Sequence, residues 1–73
     1  MSLNQDDLKK IIEAQTIKKL TDIASRLPPN KQGSFWYKKT EIVVGLKTYR
    51  VGGYVRLDPK TRKIEIKVDH FKI

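Results

Sequence analysis

The apolar positions of this chain fall into two regimes. Over residues 4–27, Leu8, Ile11 and Ile12, and then Ile17, Leu20, Ile23, Ala24 and Leu27, recur at steps of three and four. That spacing within each set is helical. From Phe35 onward the step shortens to two, and β-branched and aromatic residues dominate, as in strands with one buried face. The pattern predicts one helical segment followed by three strands, roughly 35–44, 47–57 and 63–71.

The helix has readable ends. Asn4 is a good N-cap, and Asp6 and Asp7 fall in the first turn, where the positive end of the helix dipole favours carboxylates. Pro28-Pro29 stops the helix, because proline lacks the amide donor and disfavours helix in the residue before it. Within the helix the two apolar sets do not share one stripe. At about 100° per residue, the Leu8, Ile11, Ile12 set centres near about 75° and the later set near about 200°. Two accounts follow. Either the helix breaks near Gln15-Thr16, with Thr16 capping a second helix, or Leu8, Ile11 and Ile12 face a different surface. A second copy of the chain is the simplest such surface, which makes these three residues candidates for a homodimer interface. A first half that wraps over a sheet edge is the plainer account.

Residues 30–34 read as a linker, and the two later turns set the strand register. Gly45-Leu46 suits a two-residue hairpin loop with glycine first, which places Val44 opposite Lys47, Ile42 opposite Tyr49 and Glu41 opposite Arg50. Asp58-Pro59-Lys60-Thr61-Arg62 supplies turn formers and places Leu57 opposite Ile64, Val55 opposite Ile66, Arg56 opposite Glu65 and Asp58 opposite Lys63. Both registers match opposite charges and apolar side chains, as cross-strand pairing favours. The predicted fold class is α+β, a single small domain with an N-terminal long or broken helix (1–29) packed on a three-stranded antiparallel meander (35–73).

Alternation sorts the sheet into two faces. One carries Trp36, Ile42, Val44, Tyr49, Val51, Val55, Leu57, Ile64, Ile66 and Val68 and needs the helix as cover. The other carries Phe35, Tyr37, Lys39, Glu41, Arg50, Tyr54, Arg56, Lys63, Glu65 and Lys67. Gly52-Gly53, in mid-strand, marks either a bulge or a close backbone approach.

Charge changes the picture. Sixteen Lys and Arg against eight Asp and Glu give a net charge of +8 over 73 residues. Residues 1–29 hold five bases and four acids, a net of +1, whereas residues 30–73 hold eleven bases and four acids, a net of +7. Positive charge localised on one part of a small domain is the electrostatic footprint of a polyanion binder. The outer sheet face combines that charge with aromatic rings, on which unstacked bases can lie. The expected function is nucleic-acid binding, to DNA or RNA, through Tyr37, Lys39, Arg50, Tyr54, Arg56 and Lys67. The basic hairpin tip Lys60, Arg62 and Lys63 could instead follow a duplex backbone. The plain alternative for the tyrosines is β-propensity and cross-strand packing alone.

Other classes find less support. There is no cysteine, so no disulfide and no thiolate metal site exist, and no cofactor or metal is implied. The longest apolar run is Ile42-Val43-Val44, too short to span a membrane. The N-terminal Met-Ser-Leu-Asn-Gln-Asp-Asp lacks the basic leader and apolar core of a secretory signal, so a cytoplasmic setting is expected. His70 is the only histidine, and its neighbour Asp69 would point to the opposite side of a strand. The chain is therefore not expected to be an enzyme.

One catalytic alternative rests on resemblance. The stretch Tyr49-Arg50-Val51-Gly52-Gly53-Tyr54-Val55-Arg56-Leu57-Asp58, with Ile64-Glu65-Ile66-Lys67-Val68-Asp69-His70, loosely resembles the sheet of ribosome-dependent messenger-RNA-cleaving toxins. It covers about a third of the chain, lacks that family's strand before the helices, and differs in glycine and arginine spacing. The resemblance implies RNA cleavage with Arg50, Arg56 and His70 as candidates. A third class is a small regulator of another protein, docking through Leu8, Ile11 and Ile12.

Overall fold

The computed structural model describes residues 4–69. Helix α1 spans Gln5–Ser25, a short 3-10 turn spans Pro29–Lys31, and strands β1, β2 and β3 span Trp36–Val44, Lys47–Leu57 and Ile64–Val68. The strands form one antiparallel sheet in the order β1-β2-β3, with α1 across one face. Among the described residues, no helix is long and apolar enough to cross a membrane.

The ends of α1 follow local chemistry. Asn4 is extended, and its Oδ1 accepts a hydrogen bond from the Asp7 amide at 2.8 Å, satisfying one of the orphan donors of the first turn. At the other end, the Arg26 and Leu27 amides donate to the carbonyls of Ile23 and Ala24, tightening the last turn before the prolines.

The helix is long and unbroken, so of the alternatives the break at Gln15-Thr16 does not occur. Ile12, Thr16, Leu20 and Ala24 are all fully buried. Each is four residues from the next, and a four-residue step advances about 40° around a helix of 3.6 residues per turn. The buried stripe therefore winds slowly around α1, as suits a straight helix crossing a twisted sheet. Thr16 is the missing link between the two apolar sets. Its hydroxyl donates to the Ile12 carbonyl at 2.6 Å, so a buried polar group is satisfied within the helix.

The winding stripe divides the core in two. Leu20, Ala24 and Leu27 pack with Val55 and Leu57, joined by Ile23, Ile64 and Ile66. Ile12 packs with Ile42 and Val51, joined by Leu8, Val44 and Tyr49. The first half of the helix thus covers the inner face of the β1–β2 hairpin. Ile12 has no accessible surface, and Leu8 and Ile11 are half-buried. A dimer interface centred on Ile12 would have to use a side chain already enclosed by its own chain.

The register is as expected at every pair, including Glu41 with Arg50, Tyr37 with Tyr54 and Arg56 with Glu65. Gly45 takes a positive φ of 63° at the first position of its turn, the left-handed conformation that glycine adopts without a Cβ penalty. β3 is shorter than expected: Lys63 and Asp69 lie outside it, and residues 70 and 71 lie outside the described residues.

Gly52-Gly53 is not a bulge, since β2 pairs without interruption on both sides. It is a place of close approach. A Cβ on Gly53 would collide with the Lys67 carbonyl and would lie 2.8 Å from Leu20 Cδ1, whereas one on Gly52 would lie 2.7 Å from the Tyr37 hydroxyl. The helix meets one side of this glycine pair and a tyrosine ring lies over the other.

Trp36 lies on the expected inner face, opposite Val55, but is not fully covered there. It stays 39% exposed, because α1 lies more over β2 and β3 than over the β1 edge. Its indole nitrogen donates to the Lys31 carbonyl at 2.7 Å, and Lys31 Nζ sits 5.6 Å from the ring centre.

Candidate nucleic-acid interface

The pleat of three paired strands brings Tyr37 and Tyr54 side by side on the face away from α1. Their ring centres are 5.1 Å apart at 67°, an edge-to-face geometry favoured by the ring quadrupoles. Phe35 joins them from the start of β1, with Lys67 Nζ 4.9 Å from its ring centre. The three rings remain 38–46% exposed. Lys39 and Arg50 flank them on one side and Lys67 on the other.

Tyr37 is oriented by a bond that sequence reasoning missed. Its hydroxyl donates to Asp69 Oδ2 at 3.0 Å, reaching across β2 just where Gly52 has no side chain. The Asp69 amide donates to the Gly52 carbonyl at 2.9 Å, which holds Asp69 in place beyond the end of β3. This hydrogen bond is the main reason the Tyr37 hydroxyl titrates above its ordinary value; partial desolvation, then the charges of Asp69 and Tyr54, act in the same direction. The signal in the sequence was the glycine pair itself, since a bare position invites a neighbouring ring to cover it.

Beside Tyr37, the outer face opens into a groove of about 470 Å³ bounded by Tyr37, Lys39, Glu41, Arg50 and Asp69. Arg50 faces Glu41 at 3.9 Å with both side chains largely exposed, a weak pairing in water. Its guanidinium remains available to an anion.

Arg56 lies on the outer face opposite Glu65 and is engaged within the chain. Its guanidinium bonds Glu65 at 3.0 Å, lies 3.7 Å from Asp58 and donates through Nε to the Gly33 carbonyl at 3.1 Å. Gly33 in turn donates its amide to the Leu57 carbonyl. Arg56 is a clamp that ties the linker and the second turn to β2, with two hydrogen bonds and two ion pairs made within the chain.

Lys60, Arg62 and Lys63 lie together at the β2–β3 turn, remote from the tyrosine pair along β2. Asp58 builds that turn. Its Oδ1 accepts from the amides of Lys60 and Thr61 at 2.8 and 3.1 Å, and its backbone pairs with Arg62 and Lys63. The two backbone hydrogen bonds, aided by the positive charge of Arg56 and Lys60, hold the Asp58 carboxyl below its ordinary value. Arg62 adopts a positive φ of 63°, uncommon for a residue with a Cβ, and its guanidinium reaches Gln32 at 3.5 Å. His70 lies outside the described residues.

Of the expected site, Tyr37, Lys39, Arg50, Tyr54 and Lys67 share one surface; Lys60, Arg62 and Lys63 form a second; Arg56 serves the scaffold. Comparison with protein-family models, with curated proteins and with solved structures finds no match to this chain.

Proposed function

We propose that this domain binds nucleic acid through the sheet face opposite α1, with Tyr37 and Tyr54 as a stacking platform and Lys39, Arg50 and Lys67 as phosphate partners. One observation carries the reading: aromatic rings cluster on the one sheet face that the described residues leave uncovered, and cations border them. Apolar rings left in water forgo about 25 cal/mol per Å², and grouped rings of this kind mark an interaction surface. A ligand with planar faces and negative charge complements both features at once, and single-stranded nucleic acid has that chemistry.

The test is a titration of labelled single strands and duplexes of DNA and RNA at several salt concentrations. With Arg56 engaged internally, Lys39, Arg50 and Lys67 remain for phosphates, which gives a log–log salt slope of about −2 to −3. Tyr54→Ala should weaken single-strand binding by about 1–3 kcal/mol and leave the slope unchanged, because no cation is removed. Arg50→Ala or Lys67→Ala should lower the slope by about one unit. Each variant is checked for folding by its thermal transition. Wild-type binding weaker than micromolar to every nucleic acid at about 50 mM salt, against the strong binding that several phosphate contacts give there, would sink the proposal.

A second reading has its own observation. Lys60, Arg62 and Lys63 are exposed around a tight, Asp58-braced turn, a shape suited to a duplex backbone. Loss of duplex binding in Lys60→Ala and Arg62→Ala, with Tyr37→Ala and Tyr54→Ala binding like wild type, selects this turn over the aromatic platform.

A further inference from the structure

Among the described residues, β1 lies at the edge of the sheet, with a neighbour on one side only. The two-residue turn makes Val44 and Lys47 a hydrogen-bonded pair. Even-numbered residues of β1 therefore bond to β2, and the odd-numbered Tyr37, Lys39, Glu41 and Val43 aim their backbone groups at the free edge. The Glu41 carbonyl demonstrates that direction, because Lys19 Nζ reaches it from α1 at 2.6 Å.

We propose that two copies of this chain pair β1 to β1, antiparallel, about a two-fold axis through Thr40, joining their sheets into one continuous sheet. The register is dictated by charge. With Thr40 opposite Thr40 of the second copy, Lys39 lies opposite Glu41 of the second copy, and Glu41 opposite its Lys39. Tyr37 then meets Val43 of the second copy, and Trp36 meets its Val44. Shifting this symmetric pairing to the next hydrogen-bonded registers sets Lys39 against Lys39, or Glu41 against Glu41, and like charges directly opposite one another are destabilising.

Burial supports the same pairing. Trp36, Tyr37 and Val43 are 39%, 42% and 60% exposed, and each gains an apolar cross-strand neighbour. The axis stands perpendicular to the sheet, so the helices of both copies lie on one side and the aromatic faces on the other. On the helix side a groove of about 670 Å³, lined in part by Gln15, Lys19, Asp22 and Thr40, opens between α1 and β1. Lys19 is the guard of this edge, a role charged side chains often hold at unpaired strands. Pairing requires its ammonium to release the Glu41 carbonyl, which a flexible lysine does readily. This interface does not rest on the nucleic-acid reading, although it shares Tyr37 and Lys39 with that face, and it makes no use of Leu8, Ile11 and Ile12; its test reads oligomeric state alone.

Sedimentation velocity over a concentration series tests it, using wild type, Lys39→Glu, Glu41→Lys, the double exchange and Lys19→Met. Wild type should dimerise. Each single reversal places two like-charge pairs across the axis and should weaken the dimer about tenfold or more. The double exchange, which recreates both opposite-charge pairs, should restore wild-type affinity. Lys19→Met should tighten the dimer. Both exchanged positions are exposed, and a thermal melt verifies that each variant folds. A wild type that stays monomeric at its highest soluble concentration overturns the proposal. So does a dimer indifferent to the single reversals, which would lie elsewhere on the surface, or a double exchange that fails to recover.

Discussion

Ile12 provides the sharpest test of how α1 is packed. The residue is fully buried against Ile42 and Val51, far from the later apolar set along the helix. Truncating a buried isoleucine to alanine removes three carbons from a packed site and leaves a cavity, at a cost of about 2–5 kcal/mol. A domain of 73 residues has a total stability of only about 4–11 kcal/mol at the usual value per residue. Ile12→Ala should therefore lower the urea midpoint by about 2 M or more, given an m-value near about 1 kcal/mol/M for a chain of this size. Ile12→Lys places an uncompensated charge in the same site and should leave no cooperative transition. Ile11→Lys, at a half-buried neighbour, should remain folded and serves as the control. Urea titrations followed by far-ultraviolet circular dichroism measure all three. An Ile12→Ala cost under about 1 kcal/mol, or a folded Ile12→Lys, refutes the intramolecular packing and returns this residue to an external surface.

Two further outcomes follow from named contacts. Gly53→Ala should destabilise by about 1–3 kcal/mol or more, because the new methyl meets the Lys67 backbone carbonyl and Leu20 Cδ1; Gly52→Ala should be milder, since the Tyr37 hydroxyl that it displaces can swing away, and chemical denaturation ranks the two. Asp58 has a carboxyl held below its ordinary value of 3.8, so its contribution is present above that value and is lost as pH falls below it; the melting temperature of Asp58→Ala should decline less steeply on the acid side than that of wild type, and parallel acid limbs would contradict the Asp58-braced turn.

Those parts of the fold that depend on local geometry were legible in the sequence. Asn4 and the proline pair bound the helix, because caps and missing donors act within a single turn. Gly45-Leu46 and the Asp58 turn set both registers, because loop length and a two-residue pleat leave one alignment that matches Glu41 with Arg50 and Val55 with Ile66. The two faces of the sheet, and with them the Tyr37–Tyr54 neighbourhood, follow from that alignment. Tertiary structure decided the rest. Thr16 belongs to the core rather than to a break, because the buried stripe on α1 winds with the sheet's twist, and twist is a property of paired strands that no single segment encodes. Trp36 stays partly in water because the helix crosses toward β2 and β3. Arg56 is a clamp because Gly33, distant in the chain, converges on its guanidinium together with the nearby Asp58 and the expected partner Glu65. Tyr37 is steered to Asp69 because Gly52 leaves a gap between them, and a gap acquires its meaning only when three strands lie side by side.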